Sequence, residues 1–170
     1  VVVNISENMI EIIDNGRGMN RSELNNFFQM HGENLNRKKG KRVRGRFGTG
    51  KSAAFGIANS LTIESVSNKI KNIVSLSRSN IESAKDGEPF KVETLLKNEP
   101  TNLDNGVVIA IDGINIKVKD KIPSVIAYIE KHLGRYRQKA SVTINGHSCE
   151  YKELIYSESF EKSPPEKLRD

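Results

Sequence analysis

The sequence predicts an α+β fold in which a mostly antiparallel sheet is covered by helices on one face. Short runs rich in Val and Ile alternate with a few segments of helical periodicity. Several predicted strands follow one another directly, without the long crossover that a parallel pair requires. The 170 residues, of which 36% are hydrophobic, fit one ordinary domain with its own core.

The chain is predicted to open with two strands and a helix. The strands, residues 1–5 and 9–13, flank a polar turn. Asn20 is a good N-cap and Glu23 follows three positions later, as in a capping box, so a helix is expected to begin there. The apolar face and the end of this helix are predicted at Leu24, Phe27, Phe28, His31 and Gly32.

The middle of the chain is predicted as a loop, a buried helix and four strands. Residues 33–46 are polar and without periodicity, which is typical of a loop, whereas the small and apolar residues of 50–59 indicate a buried helix. The strands are expected at 61–66, 70–76, 90–96 and 106–111, with polar connections at 80–89 and 97–105.

A helix and a hairpin are predicted near the end. Residues 122–137 carry an apolar stripe, and Pro123 lies in the first turn, where proline is tolerated. Asn145-Gly146 supplies the positive φ angles of a type I′ turn between two short strands, residues 141–144 and 147–151. The following tail, which contains two consecutive prolines, is predicted to be a linker.

Positive charge is concentrated in one segment of the chain. The net charge is +6, and residues 34–63 contain eight basic residues and no acidic one. A local excess of this kind favours a polyanion site such as a phosphate site over a nucleic-acid coat. The basic residues are Arg37, Lys38, Lys39, Lys41, Arg42, Arg44, Arg46 and Lys51.

Several classes of protein are excluded by simple counts. No apolar run approaches the ~20 residues of a membrane span, and no signal segment opens the chain. The single cysteine, Cys149, excludes an internal disulfide, and three histidines argue against a structural zinc site. We therefore expect a cytoplasmic protein with no membrane partner and no metal ligands of its own.

Two glycine-rich segments compete as the nucleotide site. The segment from Gly45 to Ser52 matches the P-loop pattern G-x-x-x-x-G-K-[S/T], and the strand that ends at Asp112 could then supply a magnesium-binding acid. A P-loop follows a buried parallel strand, however, and residues 33–44 are too polar and basic to form one. A P-loop NTPase is therefore the weaker alternative.

The second candidate begins at Asp14, where a strand is followed by Asn-Gly-Arg-Gly-Met. A carboxylate at this point can accept the exocyclic amine of adenine. Gly16 and Gly18 would let the backbone approach a flat base, and Met19 offers a polarisable surface. The same residues could also form an ordinary turn, because Asp-Asn-Gly is common turn chemistry.

These motifs resemble those of the GHKL ATPases, which include gyrase B, heat-shock-ninety chaperones, histidine kinases and MutL. The D-x-G-x-G motif of that family matches Asp14 to Gly18, and its lid motif G-x-F/Y-G-x-G matches Gly45 to Gly50. A small-residue helix and a strand follow the lid, as in the family, and the resemblance covers roughly residues 1–150. The lid motif, in which Lys51 directly follows the last glycine, is most similar to that of the chaperone- and MORC-type branch of the family.

The resemblance implies a two-layer α/β sandwich with a mixed, mostly antiparallel sheet, the Bergerat fold. It implies an ATP-binding domain over residues 1–156 and a linker to a following domain over 157–170. ATP with Mg²⁺ would be the cofactor, and ATP or ADP, further domains of a parent chain and an ATP-dependent second copy would be the partners. The residues implied in ATP binding are Asp14, Gly16, Gly18, Met19, Arg46, Phe47, Gly48, Thr49, Gly50, Lys51 and Ser52.

The chain departs from the family pattern at two points. The first family motif, with the Glu that activates water and the Asn that holds Mg²⁺, belongs on a helix expected before Val1. No catalytic residue is therefore assigned here, and we expect these residues to bind ATP rather than to hydrolyse it. The family also has a Thr where this chain has Val107. A non-hydrolysing interaction module, or a DNA-binding module using the basic segment 37–46, is the alternative.

Overall fold

The structure, a computed structural model, describes residues 1–27, 50–83, 91–133 and 141–151. The strands in this part of the chain are β1 Val2–Ile5, β2 Met9–Asp14, β3 Ser60–Ser67, β4 Ile70–Ser77, β5 Glu93–Pro100, β6 Gly106–Asp112, β7 Thr143–Ile144 and β8 His147–Ser148. The helices are α1 Arg21–Phe27, α2 Gly50–Ile57, α3 Arg78–Glu82 and α4 Ile122–His132, with a 3₁₀ turn at Lys119–Lys121.

All eight strands belong to one sheet, in the order β5-β4-β3-β6-β2-β1-β7-β8. The strands β1 and β2 form one hairpin and β3 and β4 another, and β6 lies between the two hairpins and pairs with β2 and β3. The pairing of β1 with β7 is parallel, and every other pairing between described strands is antiparallel. The predicted α+β class and the mixed, mostly antiparallel sheet are confirmed.

The core lies on one face of the sheet. This follows from the strand pairing, because the side chains of residues that pair across strands point to the same face. One cluster packs α1 and α2 on the sheet through Leu24, Ala54, Leu61, Ile63, Val74, Leu76 and Val107. A second cluster packs the hairpin β7–β8 and the segment before α4 through Ile5, Ala58, Ile114, Val118, Leu133, Ile144 and Cys149. The opposite face carries polar residues, including the ion pair of Lys71 Nζ with Glu64 Oε1 at 2.6 Å.

Two segments predicted as polar connections contain regular structure. The short helix α3, Arg78–Glu82, extends into the segment 80–89, and the Ser77 side chain caps it by accepting a hydrogen bond from the amide of Asn80. The strand β5 begins at Glu93 and continues to Pro100 through a bulge. At this irregularity Asn98 adopts a φ of 53°, and its amide donates to the buried side-chain oxygen of Asn72.

The predicted proline position and hairpin turn are confirmed, whereas the hairpin strands are shorter than the predicted 141–144 and 147–151. Pro123 lies in the first turn of α4, and Asn145 and Gly146 have the positive φ angles, 47° and 82°, of the predicted hairpin turn. Within the described ranges no helix combines the length and the apolar character that crossing a membrane requires. The helix α4 ends at His132, before the predicted end at 137. The predictions for Phe28, His31, Gly32, the loop 33–46 and the linker 157–170 lie outside the described residues.

Candidate functional site

Asp14 is the last residue of β2 and lies on the helix-covered face, opposite the buried Val107 of β6. One carboxylate oxygen, Oδ1, accepts a hydrogen bond of 2.8 Å from the amide of Gly16. The turn chemistry that competed with base recognition is therefore present. The second oxygen, Oδ2, has no hydrogen-bond partner among the described residues. Turn formation thus uses one of the two carboxylate oxygens of Asp14.

Two glycines allow the backbone around Asp14 to pack closely. Gly18 has a φ of +70°, and a Cβ at this position would lie 1.8 Å from the carbonyl oxygen of Val66. A Cβ on Gly106 would lie 2.4 Å from the carbonyl oxygen of Asp14. Because only glycine tolerates both the left-handed conformation and this contact, the loop after Asp14 lies directly against the end of β3.

Met19 is attached to β3 by a residue that sequence reasoning missed. Its amide donates to Ser65 Oγ at 2.7 Å, and the Ser65 hydroxyl donates to the carbonyl oxygen of Met19 at 3.1 Å. Ser65 is fully buried and follows Leu61 and Ile63 on the inward face of β3. The signal that could have found it is this polar residue at an inward position of an otherwise apolar alternation.

The predicted capping box at the start of α1 is confirmed and is extended by an ion pair. The Glu23 amide donates to Asn20 Oδ1 and the Asn20 amide to Glu23 Oε2, each at 3.0 Å. Arg17 donates to both carboxylate oxygens of Glu23, at 2.8 and 3.0 Å. The hydrogen bond and the charge of Glu23 raise the pKa of Arg17. This pair, which was not predicted, holds the loop on the N-terminus of α1.

The helix α2 begins at Gly50, the last glycine of the lid motif, so Gly50, Lys51 and Ser52 lie in its first turn. At the other end, Arg78 donates to the carbonyl oxygens of Phe55 and Ala58, the latter at 2.9 Å. The predicted site residues Arg46, Phe47, Gly48 and Thr49, and the basic segment 37–46, lie outside the described residues. The structure therefore brings together Asp14, Gly16, Gly18 and Met19.

The arrangement around α2 opposes the P-loop alternative. The carbonyl of Asp112 accepts a hydrogen bond of 2.9 Å from the amide of Asn59, which follows the C-terminus of α2. The first turn with Ser52 is at the opposite end of this eight-residue helix, roughly 10 Å away at 1.5 Å per residue. Asp112 is thus placed at the wrong end of α2 to share a magnesium ion with Ser52.

Metal ligands are not assembled in the described part of the chain. Within residues 1–27, 50–83, 91–133 and 141–151, no group of three or more His, Cys, Asp or Glu side chains could hold a metal ion. No metal ligand is assigned among these residues.

Fold and site together define a two-layer α+β domain in which the carboxylate of Asp14, at one end of the sheet, has one oxygen without a partner among the described residues. The family model for histidine kinase-, DNA gyrase B- and HSP90-like ATPases matches residues 1–107. The chain belongs to this family. Membership indicates a GHKL-type ATP-binding domain, and the family implies ATP binding, typically with Mg²⁺. A comparison with the curated proteins finds no match.

Proposed function

We propose that the chain binds ATP with the adenine at the end of β2, where Asp14 accepts a hydrogen bond from the exocyclic amine. The observation that carries this proposal is the state of the Asp14 carboxylate, whose Oδ1 is fixed by the Gly16 amide while Oδ2 is left for a donor. Guanine presents a carbonyl oxygen at the position of that amine. The guanine carbonyl oxygen and the Asp14 carboxylate are both acceptors, so neither would receive a hydrogen bond from the other. We therefore expect GTP to bind less tightly than ATP.

The phosphates are proposed to lie at the N-terminus of α2, under the glycine-rich segment 45–50. Backbone amides at a helix N-terminus favour negative charge, and Lys51 adds a positive one. Two observations support this placement. Gly50 lies at the end of α2 away from Asp112, and Asp14 lies at the end of β2 away from Met9, which pairs with Asp112.

Thermal unfolding with added nucleotides tests the proposal. ATP and ADP are expected to raise the Tm of the chain more than GTP does, and Asp14→Asn is expected to abolish that preference. The control is Asp112→Asn, an exposed carboxylate at the opposite end of the sheet, which should leave the preference intact. Equal protection of the wild-type chain by ATP and GTP would contradict base recognition by Asp14.

A further inference from the structure

We propose that Ser65 is a positioning residue for the adenine end of the site, acting through the backbone of Met19. The inference rests on the proposed function, in which residues 14–19 contact the base. It adds to that function a residue 46 positions away along the chain, on a different strand.

The contacts of Ser65 show that its hydroxyl is fully engaged by one residue. It accepts from the Met19 amide at 2.7 Å and donates its single proton to the Met19 carbonyl at 3.1 Å. Ser65 has no exposed surface. Because its one proton is already used, Ser65 acts on a ligand through Met19 rather than by donating to the ligand itself.

The loop is thereby fixed at both of its ends. Asp14 is held by its pairing with Val107, and Val107 pairs on its other side with Ser65. Gly18 contacts the carbonyl of Val66 closely, and Met19 is bonded to Ser65, so two successive loop residues rest on two successive residues of β3. One row of side chains across three strands therefore sets the distance between the Asp14 carboxylate and the Met19 backbone.

This geometry predicts an effect on the base and not on the phosphates. Without the Ser65 hydroxyl, Met19 loses both of these hydrogen bonds, and the position of Met19 beside the proposed adenine site is no longer fixed. Affinity for ATP should fall, and with it the preference for ATP over GTP. Affinity for tripolyphosphate, which has no base, should not change.

Titration calorimetry on the 170-residue chain measures these affinities directly. For Ser65→Ala we expect about tenfold weaker ATP binding and a reduced ATP-to-GTP ratio, with tripolyphosphate binding unchanged. The matched control is Ser75→Ala, which removes a hydroxyl bonded to Thr62 at 3.0 Å on the opposite face of the same sheet. This control should leave all three affinities unchanged.

A second measurement needs no substitution, which matters because a chain that loses both hydrogen bonds of Met19 need not fold. Hydrogen exchange of the Met19 amide should slow when ATP is added and should not slow with tripolyphosphate. Equal effects of the two ligands, or none with ATP, would overturn the inference.

The outcomes separate this inference from the proposed function. If the wild-type chain shows no preference for ATP over GTP, the proposed function fails and the inference fails with it. If the wild-type preference is present but Ser65→Ala keeps it, or if Ser75→Ala weakens ATP binding equally, only the positioning role of Ser65 is refuted.

Discussion

Two glycines of this chain, Gly18 and Gly56, differ in whether a larger residue would fit in their place. Gly18 combines a φ of +70° with backbone in the place of a Cβ, whereas nothing lies within 4 Å of a Cβ on Gly56, which is exposed in α2. The same substitution should therefore have opposite effects at these two positions.

Gly18→Ala is expected to lower the free energy of unfolding by about 2 kcal/mol or more, because left-handed strain and a backbone clash add. Gly56→Ala should raise it by about 0.5–1 kcal/mol, because alanine is the better helix former. Urea unfolding of the two variants beside the wild-type chain gives both values. A stable Gly18→Ala would show that the loop does not rest on β3 as described.

The buried thiol of Cys149 is expected to make the free energy of unfolding depend on pH in the alkaline range. Burial, together with the nearby charge of Glu130, raises the pKa of Cys149 above its ordinary value of 9.0. The folded state therefore favours the neutral thiol, so this contribution to stability is complete below pH 9 and is lost as the pH rises through the raised pKa. Unfolding measured from pH 7 to 10 should show a steeper loss for the wild-type chain than for Cys149→Ala. Parallel curves would contradict the prediction.

The C-terminus of helix α2 is capped by the side chain of Arg78, which belongs to α3. The guanidinium of Arg78, the first residue of α3, donates to two carbonyls at the C-terminus of α2, where a cation is favoured. Through its Nη2 group Arg78 thus joins the end of the β3–β4 hairpin to the helix that begins at Gly50.

Arg78→Met keeps the apolar part of the side chain and removes its donors, so two carbonyl groups lose their partner. We expect a loss of about 2 kcal/mol in the free energy of unfolding by urea denaturation. Arg78→Lys, which keeps a charged donor on a side chain of different shape, should lose less. Equal stability of Arg78→Met and the wild-type chain would show that these hydrogen bonds contribute nothing.

Elements with local signals were predictable from the sequence, and contacts between distant elements were not. The capping box of Asn20 and Glu23 and the turn at Asn145-Gly146 depend on neighbouring residues, and both are present. The helix α3 was missed because its five residues have no apolar periodicity and its cap is a single serine. Ser65 has a local signal as a polar residue at an inward strand position, but its partner Met19, like the partners of Arg78, follows only from how distant segments pack.

On the scale of the whole molecule, the sheet extends past the segment that the family model matches. The match ends at Val107, the second residue of the central strand β6. The rest of β6, α4 and the hairpin β7–β8 follow, and five of the seven buried residues of the second core cluster lie after residue 107. The segment matched by the family model therefore does not contain the whole sheet.

A fragment of residues 1–107 is accordingly expected not to fold, since it lacks most of the strand that joins the two hairpins. Circular dichroism and thermal unfolding should show no cooperative transition for this fragment, in contrast to the 170-residue chain. A cooperative transition in the fragment would mean that the sheet tolerates the loss of its central strand.

The central position of β6 also imposes an order on synthesis by the ribosome. The hairpins β1–β2 and β3–β4 emerge first, and no strand pairing joins them in the described sheet until residues 106–112 appear. Until then β2 and β3 each present an unpaired edge, the kind of surface on which chains associate wrongly. The nascent chain is thus prone to aggregation after β3 has been synthesised and until β6 pairs with β2 and β3. The parallel contact of β1 with β7, about 140 residues apart, can form only after that.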